Sequence, residues 1–201
     1  CGSFVSFAEM GNDIEFSNDI IQAAQTIKRG GLILYPTDTI WGIGCDATNS
    51  DAVRRVFDLK RRADSKALIT LVATEAMLER HVAHVPDIAW QLIDAAVHPL
   101  TIVYDHGIGV APELLAPDGS IGIRLTRERF SSTLCRHIGR PLVSTSANIS
   151  GASAPLCFGE INPEIIDGVD YVANYGRNNT ETVAPSNIIK LTDSGVVTII
   201  R

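Results

Sequence analysis

The sequence lacks the features of a membrane-spanning, secreted or disulfide-bonded protein. Its 201 residues contain no run of about 18 apolar residues, so no transmembrane helix is predicted. The N-terminus has no basic stretch followed by a long apolar segment, so no secretory signal is expected. The four cysteines, Cys1, Cys45, Cys135 and Cys157, form no C-x-x-C pair and predict reduced thiols. These absences favour a reducing compartment, and we expect a cytoplasmic protein.

The chain also lacks the positive charge of a protein whose main task is to hold nucleic acid. Its 17 Lys and Arg residues are outnumbered by 23 Asp and Glu residues, which gives a net charge of −6 at pH 7. Because neutralised phosphates supply most non-specific affinity, this balance argues against such a role for the whole surface. It leaves room for a local basic pocket and for weak RNA binding there.

Three common functional motifs are missing as well. The G-x-G-x-x-G dinucleotide motif that begins at Gly42 is incomplete, because Ala47 stands at its last position. No G-K-[ST] sequence marks a Walker loop, and no G-x-S-x-G sequence marks a serine-hydrolase nucleophile. The best-known nucleotide-binding and hydrolase signatures therefore do not apply.

What is present is the pattern of one α/β domain. Hydrophobic residues make up 45% of the chain, enough for one sizeable core, and helix and strand patterns alternate. We predict an α/β (α+β) domain over residues 18–201 and give no role to residues 1–17. Ser17 is predicted to cap the first helix. Predicted helices span 18–29, 86–96 and 128–138, with another from position 50 or 51. Predicted strands span 32–35, 67–73, 100–104, 121–125, 142–145, 187–191 and 196–200.

The first candidate for chemistry follows the first predicted strand, which ends at Pro36. Thr37, Asp38 and Thr39 come next, and Gly42 and Gly44 follow shortly after. Loops at strand ends often hold ligands in α/β proteins, and glycines allow close backbone approach. The alternative is a polar turn capped by Asp38.

The second candidate is the basic segment that begins at Lys60. Lys60 continues the apolar stripe of Val53 and Val56, so it points toward the body of the protein. Arg62 lies about 200° further round an ideal helix, so both can reach one ligand only if the helix ends between them. The alternative is that these cations merely complement the C-terminal end of a helix dipole.

The third candidate is the polar segment after the predicted strand at 142–145. If the backbone stays extended, Ser144, Ser146 and Asn148 share one face. Such side chains suit ribose, phosphate or amino-acid recognition. The alternative is an ordinary turn rich in serine and asparagine.

Together these segments resemble the YrdC-like family of threonylcarbamoyl-adenylate synthases. Residues 31–46 resemble its first motif, with Tyr35-Pro36-Thr37-Asp38-Thr39 at the centre. Its K-x-R…S-x-N signature is matched by Lys60, Arg62, Ser146 and Asn148. Gly122-Ile123-Arg124 and Pro185-Ser186 also fit, so the resemblance covers about residues 18–201.

This resemblance implies a twisted, mixed sheet with a concave, positively charged cavity, in the short single-domain form of the family. It implies an enzyme that uses ATP, bicarbonate and L-threonine, a nucleotidyltransferase. The products would be threonylcarbamoyl-AMP and pyrophosphate, and a tRNA-modifying threonylcarbamoyl transferase system would take the first of them. Mg²⁺ is expected only as the counter-ion of ATP, and no dedicated metal site is predicted.

The resemblance also implies roles for individual residues. The four signature residues are the expected catalytic group. Contacts to ATP are expected from Lys60, Arg62, Lys66, Ser120, Ser146, Asn148 and Arg201. Contacts to threonine are expected from Thr39, Arg124, Ser144 and Ser186, with Arg124 pairing the carboxylate.

Some positions depart from the family pattern and leave alternatives open. Ala63, Ala67 and Thr126 stand where proline is common, which affects the shapes of loops and of the threonine pocket. One rival is a diverged YciO-type relative with another substrate, and a second is a binding module for double-stranded RNA or tRNA. A third, carbamoyl-adenylate chemistry, normally needs extra domains.

Overall fold

The computed structural model describes residues 7–61, 68–179 and 185–201, and describes only the backbone of residues 7–12. Its helices are α1 (Phe7–Lys28), α2 (Ser50–Leu59), α3 (Glu75–Glu79), α4 (Asp87–Ala95), α5 (Arg129–Ile138) and α6 (Pro163–Asp167). Its strands are β1 (Ile33–Tyr35), β2 (Gly42–Gly44), β3 (Ile69–Val72), β4 (Leu100–Tyr104), β5 (Ile121–Leu125), β6 (Leu142–Ser146), β7 (Tyr171–Val172), β8 (Asn187–Leu191) and β9 (Val197–Ile199). Within these ranges, no helix combines the length and apolarity needed to cross a bilayer.

The strands form one mixed sheet in the order β7-β1-β2-β6-β3-β5-β4-β8-β9. Strand β6 lies between β2 and β3 and is antiparallel to both. Strand β5 lies parallel to β3 and antiparallel to β4. The predicted single domain with a mixed sheet and flanking helices is therefore confirmed.

The first helix differs from its prediction. Helix α1 begins at Phe7 rather than Asn18, and Ser17 lies inside it, where its hydroxyl donates to the Asp13 backbone oxygen at 2.8 Å. The predicted cap is wrong because the helix gains tertiary packing further upstream. Phe16 is buried and meets the Phe130 ring edge-on, with 6.1 Å between centroids. That burial favours helix on the N-terminal side of Ser17.

Strand β2 was not predicted, although it places one wall of the site. It pairs Gly42 with Tyr35 on β1 and with Ser146 on β6. A Cβ on Gly44 would lie 2.6 Å from Tyr35 Cε1 and 2.9 Å from the Val143 oxygen. Strand β2 can therefore fit only with glycine at position 44. Glycine gives the segment no alternation of apolar residues, so the sequence pattern did not indicate a strand.

Candidate substrate-binding site

The candidate site is a cavity of about 360 Å³ where the turn between β1 and β2 approaches β5, β6 and β8. Small-molecule sites commonly span ~300–1,000 Å³, so the volume fits a metabolite. Its polar walls are Thr37, Thr39, Arg124, Ser144, Thr145, Ser146, Ser186 and Arg201. Its apolar walls are Ile40, Trp41, Leu68, Ile69, Ala154, Pro185 and Ile188.

Lys60 meets Ser146 and Asn148, two of the residues that the family resemblance groups with it. The ammonium donates to the backbone oxygen of Ser146, to that of Asn148 at 2.7 Å and to Asn148 Oδ1 at 3.4 Å. Lys60 is only 2% exposed, and a charge so deeply buried is tolerated only with partners of this kind. Its side chain holds the wall behind Ser146 and is not part of the cavity lining.

Helix α2 ends before Arg62, which is the condition for Lys60 and Arg62 to reach one ligand. Its last residue is Leu59, Lys60 is the C-cap, and Arg61 has a left-handed backbone with φ of 51°. The Lys60 backbone oxygen accepts from Ser150 N at 2.9 Å, which ties the helix end to the segment after β6. Arg62 and Lys66 lie outside the described residues, so their placement stays a prediction.

Ser144 and Ser146 share one face of β6, and both line the cavity. The strand continues to Ser146, one residue past its predicted end. Asn148 lies beyond the strand, where its amide donates to the oxygens of Ile149 and Ala152 at 3.1 and 2.7 Å. Ser146 Oγ donates to Asn148 Oδ1, so the predicted common face holds for the two serines while Asn148 shapes the turn.

Arg124 lines the cavity although it is only 3% exposed. Its Nη1 lies 3.2 Å from Asp38 Oδ1 without hydrogen-bond geometry. Within the described ranges, neither that oxygen nor Arg124 Nε has a hydrogen-bond partner. Burial raises the pKa of the Asp38 carboxyl, and the Arg124 charge opposes this rise only in part.

The turn after β1 is closed by Thr37 rather than by Asp38. Thr37 Oγ1 donates to the Ile40 oxygen at 2.7 Å and accepts from Thr39 N at 3.1 Å. The alternative of a turn capped by Asp38 is therefore wrong. Thr39, a predicted threonine contact, lines the cavity with its hydroxyl 3.2 Å from that of Thr37.

Ser186 and Arg201 form the wall that comes from the end of the chain. Both line the cavity, and Arg201 Nη2 donates to the Ser186 oxygen at 3.1 Å. Ser186 Oγ lies 3.3 Å from the Thr101 hydroxyl on β4. All four predicted threonine contacts, namely Thr39, Arg124, Ser144 and Ser186, thus surround one cavity.

Ser120 is not brought to this cavity. It precedes β5, at the opposite end of that strand from Arg124, and its hydroxyl donates to Asp118 Oδ1 at 2.6 Å. Its predicted contact with ATP stays a prediction without support from its position. Sequence reasoning missed Trp41, whose buried indole lines the cavity and packs on Phe158 with 4.9 Å between centroids. Its position directly before Gly42 of β2 was the sequence feature that could have indicated a role in the site.

The described walls bring two guanidinium groups, several hydroxyls and no acidic side chain to one hollow. Such walls suit an anionic ligand that also carries hydroxyl groups, because arginine recognises carboxylate and phosphate with a planar fork of donors. Fold and cavity together define an α/β small-molecule-binding domain.

Comparison with known proteins narrows this class. Residues 25–201 match the family model of Sua5, YciO and YrdC proteins, which carries the description "Telomere recombination". The chain belongs to the Sua5/YciO/YrdC family. The resemblance stated from its motifs is confirmed.

Two relatives have names that state an activity. The chain is 37% identical over 174 residues to a putative threonylcarbamoyl-AMP synthase of Methanocaldococcus jannaschii, covering 86% of this chain and 80% of that protein. It is 31% identical over 176 residues to the threonylcarbamoyl-AMP synthase of Idiomarina loihiensis, covering 84% and 95%.

Solved structures share the fold. P. abyssi Sua5 complexed with L-threonine superposes with a TM-score of 0.81 at 26% identity over 92% of this chain. This chain spans 54% of that protein, about half its length. E. coli YciO superposes with a TM-score of 0.76 at 24% identity, over 90% of this chain and 87% of that one, and shows the fold alone.

Proposed function

We propose that the protein is an L-threonylcarbamoyladenylate synthase, a nucleotidyltransferase that uses ATP, bicarbonate and L-threonine. The observation that carries this proposal is the cavity in which Arg124, Ser144, Ser186 and Thr39 converge beside the Lys60-bound end of β6. The names of the relatives at 31% and 37% identity support it, as does the threonine complex of P. abyssi Sua5. We place the reaction in the cytoplasm, where all three substrates are available.

The proposed reaction forms two bonds. The threonine amine attacks the carbon of bicarbonate or of the CO₂ derived from it, and with bicarbonate one water leaves as the carbamate forms. A carbamate oxygen then attacks the α-phosphorus of ATP. The bond from that phosphorus to the β-phosphate oxygen breaks, so the products are threonylcarbamoyl-AMP and pyrophosphate.

The cavity offers a place for each half of this chemistry. Arg124 would pair the threonine carboxylate, since its Nε lacks an acceptor among the described residues. Ser144, Ser186 and Thr39 would bind the remaining polar groups of the amino acid. Fixed donors in a water-poor hollow stabilise negative charge more strongly than they would in bulk water.

The nucleotide would lie next to Ser146 and Arg201, with Arg62 and Lys66 as further predicted contacts. Lys60 and Asn148 would act behind the lining by fixing the backbone of the segment that presents Ser146. Mg²⁺ would arrive with ATP and neutralise its phosphates. A separate tRNA-modifying transferase system would consume the product.

The decisive test is incubation of the protein with ATP, bicarbonate and radiolabelled threonine. We expect pyrophosphate release that requires threonine and bicarbonate together, and transfer of label to an adenylated product. Omission of each substrate in turn provides the controls. Release that is independent of threonine, or none at all, would contradict the proposal, and tight salt-dependent RNA binding without turnover would favour a binding module.

A further inference from the structure

The pair formed by Asp38 and Arg124 lies between two hollows. Arg124 lines the substrate cavity, whereas Asp38 lines a second hollow of about 290 Å³. Arg124 Nη1 and Asp38 Oδ1 lie 3.2 Å apart, and Asp38 is not among the residues that line the substrate cavity. The carboxylate therefore backs the guanidinium and leaves the cavity side of Arg124 to a ligand.

The cation needs this backing because of its burial. Arg124 is 3% exposed and Asp38 has a side chain that is 17% exposed, so water screens neither charge well. A guanidinium buried without an anion is strongly destabilising, whereas a paired one keeps its position and its charge. Since Asp38 is the acidic partner of Arg124 among the described residues, it compensates this buried cation.

The contact is loose in a way that suits ligand binding. Asp38 Oδ1 and Arg124 Nε are buried and have no hydrogen-bond partner in the described part of the chain. Buried polar atoms are normally paired, and those left unpaired in an empty site often tighten when substrate arrives. A carboxylate at the edge of the guanidinium would supply the acceptor that Nε lacks.

We propose that Asp38 is a positioning residue for the amino-acid carboxylate: it holds the Arg124 guanidinium in the orientation that receives this group. The inference rests on the proposed function, which it deepens by giving the turn after β1 a task. Asp38 makes no contact with substrate in this arrangement, so its effect passes through Arg124.

Charged and titratable groups surround Asp38 on several elements. Besides Arg124, the charged or titratable groups facing it are His98, Arg127 and Glu128 around the second hollow and the buried Tyr35. Burial raises the pKa of Asp38 in the folded state, so its ionised form lowers stability once pH exceeds the ordinary aspartate value. Removing the charge at neutral pH relieves this cost but leaves the buried Arg124 without its anion, so threonine KM, and not the melting temperature, is the readout for positioning.

The test compares Asp38→Asn with the wild type and with Asp46→Asn. Asp46 is also a buried carboxylate with an arginine partner, Arg140 at 2.5 Å, but it lies outside the cavity and accepts from Thr48 N at 2.8 Å. We expect Asp38→Asn to raise KM for threonine by about tenfold or more, because a misplaced binding group costs up to ~10²-fold. KM for ATP should change by less than about twofold, since the nucleotide does not depend on Arg124.

The control variant also removes a buried carboxylate with an arginine partner, but it should leave KM for both substrates unchanged. Restoration of threonine KM by Asp38→Glu would further support positioning by charge. An unchanged or lower threonine KM in Asp38→Asn would overturn the inference, as would parallel losses in stability and in both KM values. If the wild type itself releases no pyrophosphate, the proposed function fails and this inference fails with it, whereas an active wild type isolates the role of Asp38.

Discussion

The Lys60 ammonium lies 2.7 Å from the backbone oxygen of Asn148, which is 88 positions further along the chain. It also donates to the Ser146 oxygen, so one buried cation fixes the backbone on both sides of Ala147. The lysine of the signature thus supports the site from behind. Its loss should affect stability and activity together.

Lys60→Ala should lower the free energy of unfolding by about 2 kcal/mol or more, because buried carbonyl groups lose their donor. It should also reduce pyrophosphate release by about 10²-fold through displacement of Ser146. Urea unfolding and steady-state kinetics measure the two effects. Lys190→Ala is the matched control, since Lys190 is partly exposed and its acidic neighbours lie 3.4 and 3.7 Å away. That change should cost less than about 1 kcal/mol.

Arg62→Ala should cut product formation strongly while leaving the fold intact, by about 10²-fold if its guanidinium stabilises charge on the phosphates. Arg61→Ala is the adjacent control, because Arg61 is exposed and pairs with Glu164 on α6. Kinetics for both variants, with circular dichroism to verify folding, separate the two residues. Equal losses would show that only the shape of the segment matters.

Arg124→Lys should raise KM for threonine by about tenfold or more, because lysine keeps the charge but lacks the planar fork. The matched control is Arg127→Lys, which changes an exposed arginine whose partner Asp94 lies 3.0 Å away. Isothermal titration with threonine measures the dissociation constant, which should rise in parallel with KM. Tight threonine binding by the Arg124 variant would show that Arg124 does not bind the threonine carboxylate.

Gly44→Ala should destabilise the fold by about 1–3 kcal/mol, because the new Cβ would overlap the Tyr35 ring and the Val143 oxygen. Gly159→Ala offers a control with no atom within 4 Å of the added carbon. Urea midpoints for both variants test the comparison. Equal stability of the two would mean that the strands shift to accommodate the methyl group.

The cysteines should differ sharply in reactivity. Burial raises the pKa of Cys135 to about 12, and burial likewise raises the pKa of Cys45. Since the thiolate is the reactive form, both should resist iodoacetamide in the native protein at alkaline pH below that range. Of the three cysteines in the described ranges, Cys157 is the most accessible and should react before the other two. Mass spectrometry of native and urea-unfolded samples tests this, and rapid native labelling of Cys135 would contradict it.

The sequence predicted most of what burial and periodicity determine. Val53, Val56 and Lys60 follow one stripe, and all three are buried, so the helical pattern placed the lysine correctly. The proximity of Lys60 to Ser146 and Asn148 came from the motif resemblance and could not come from spacing. The short elements β7, α3 and α6 were not predicted, because segments of two to five residues show no detectable hydrophobic period.

The contact between Asp38 and Arg124 could not be predicted from the local sequence. A turn containing Thr37, Asp38 and Thr39 gives no sign of which side chain closes it and which one reaches another strand. That choice depends on the position of β5, which comes from pairing with β3 and β4. The alternative of a turn capped by Asp38 considered only neighbouring residues, and the tertiary arrangement shows that it is wrong.

The insertion of β6 between β2 and β3 has a consequence for the newly made chain. Residues 42–44 and 69–72 leave the ribosome long before residues 142–146, which must later occupy the slot between them. Until then the slot exposes unpaired strand edges, and Lys60 has no carbonyl oxygens to bind there. Because such distant pairings form slowly, the centre of the sheet should close only after residues 142–146 have emerged.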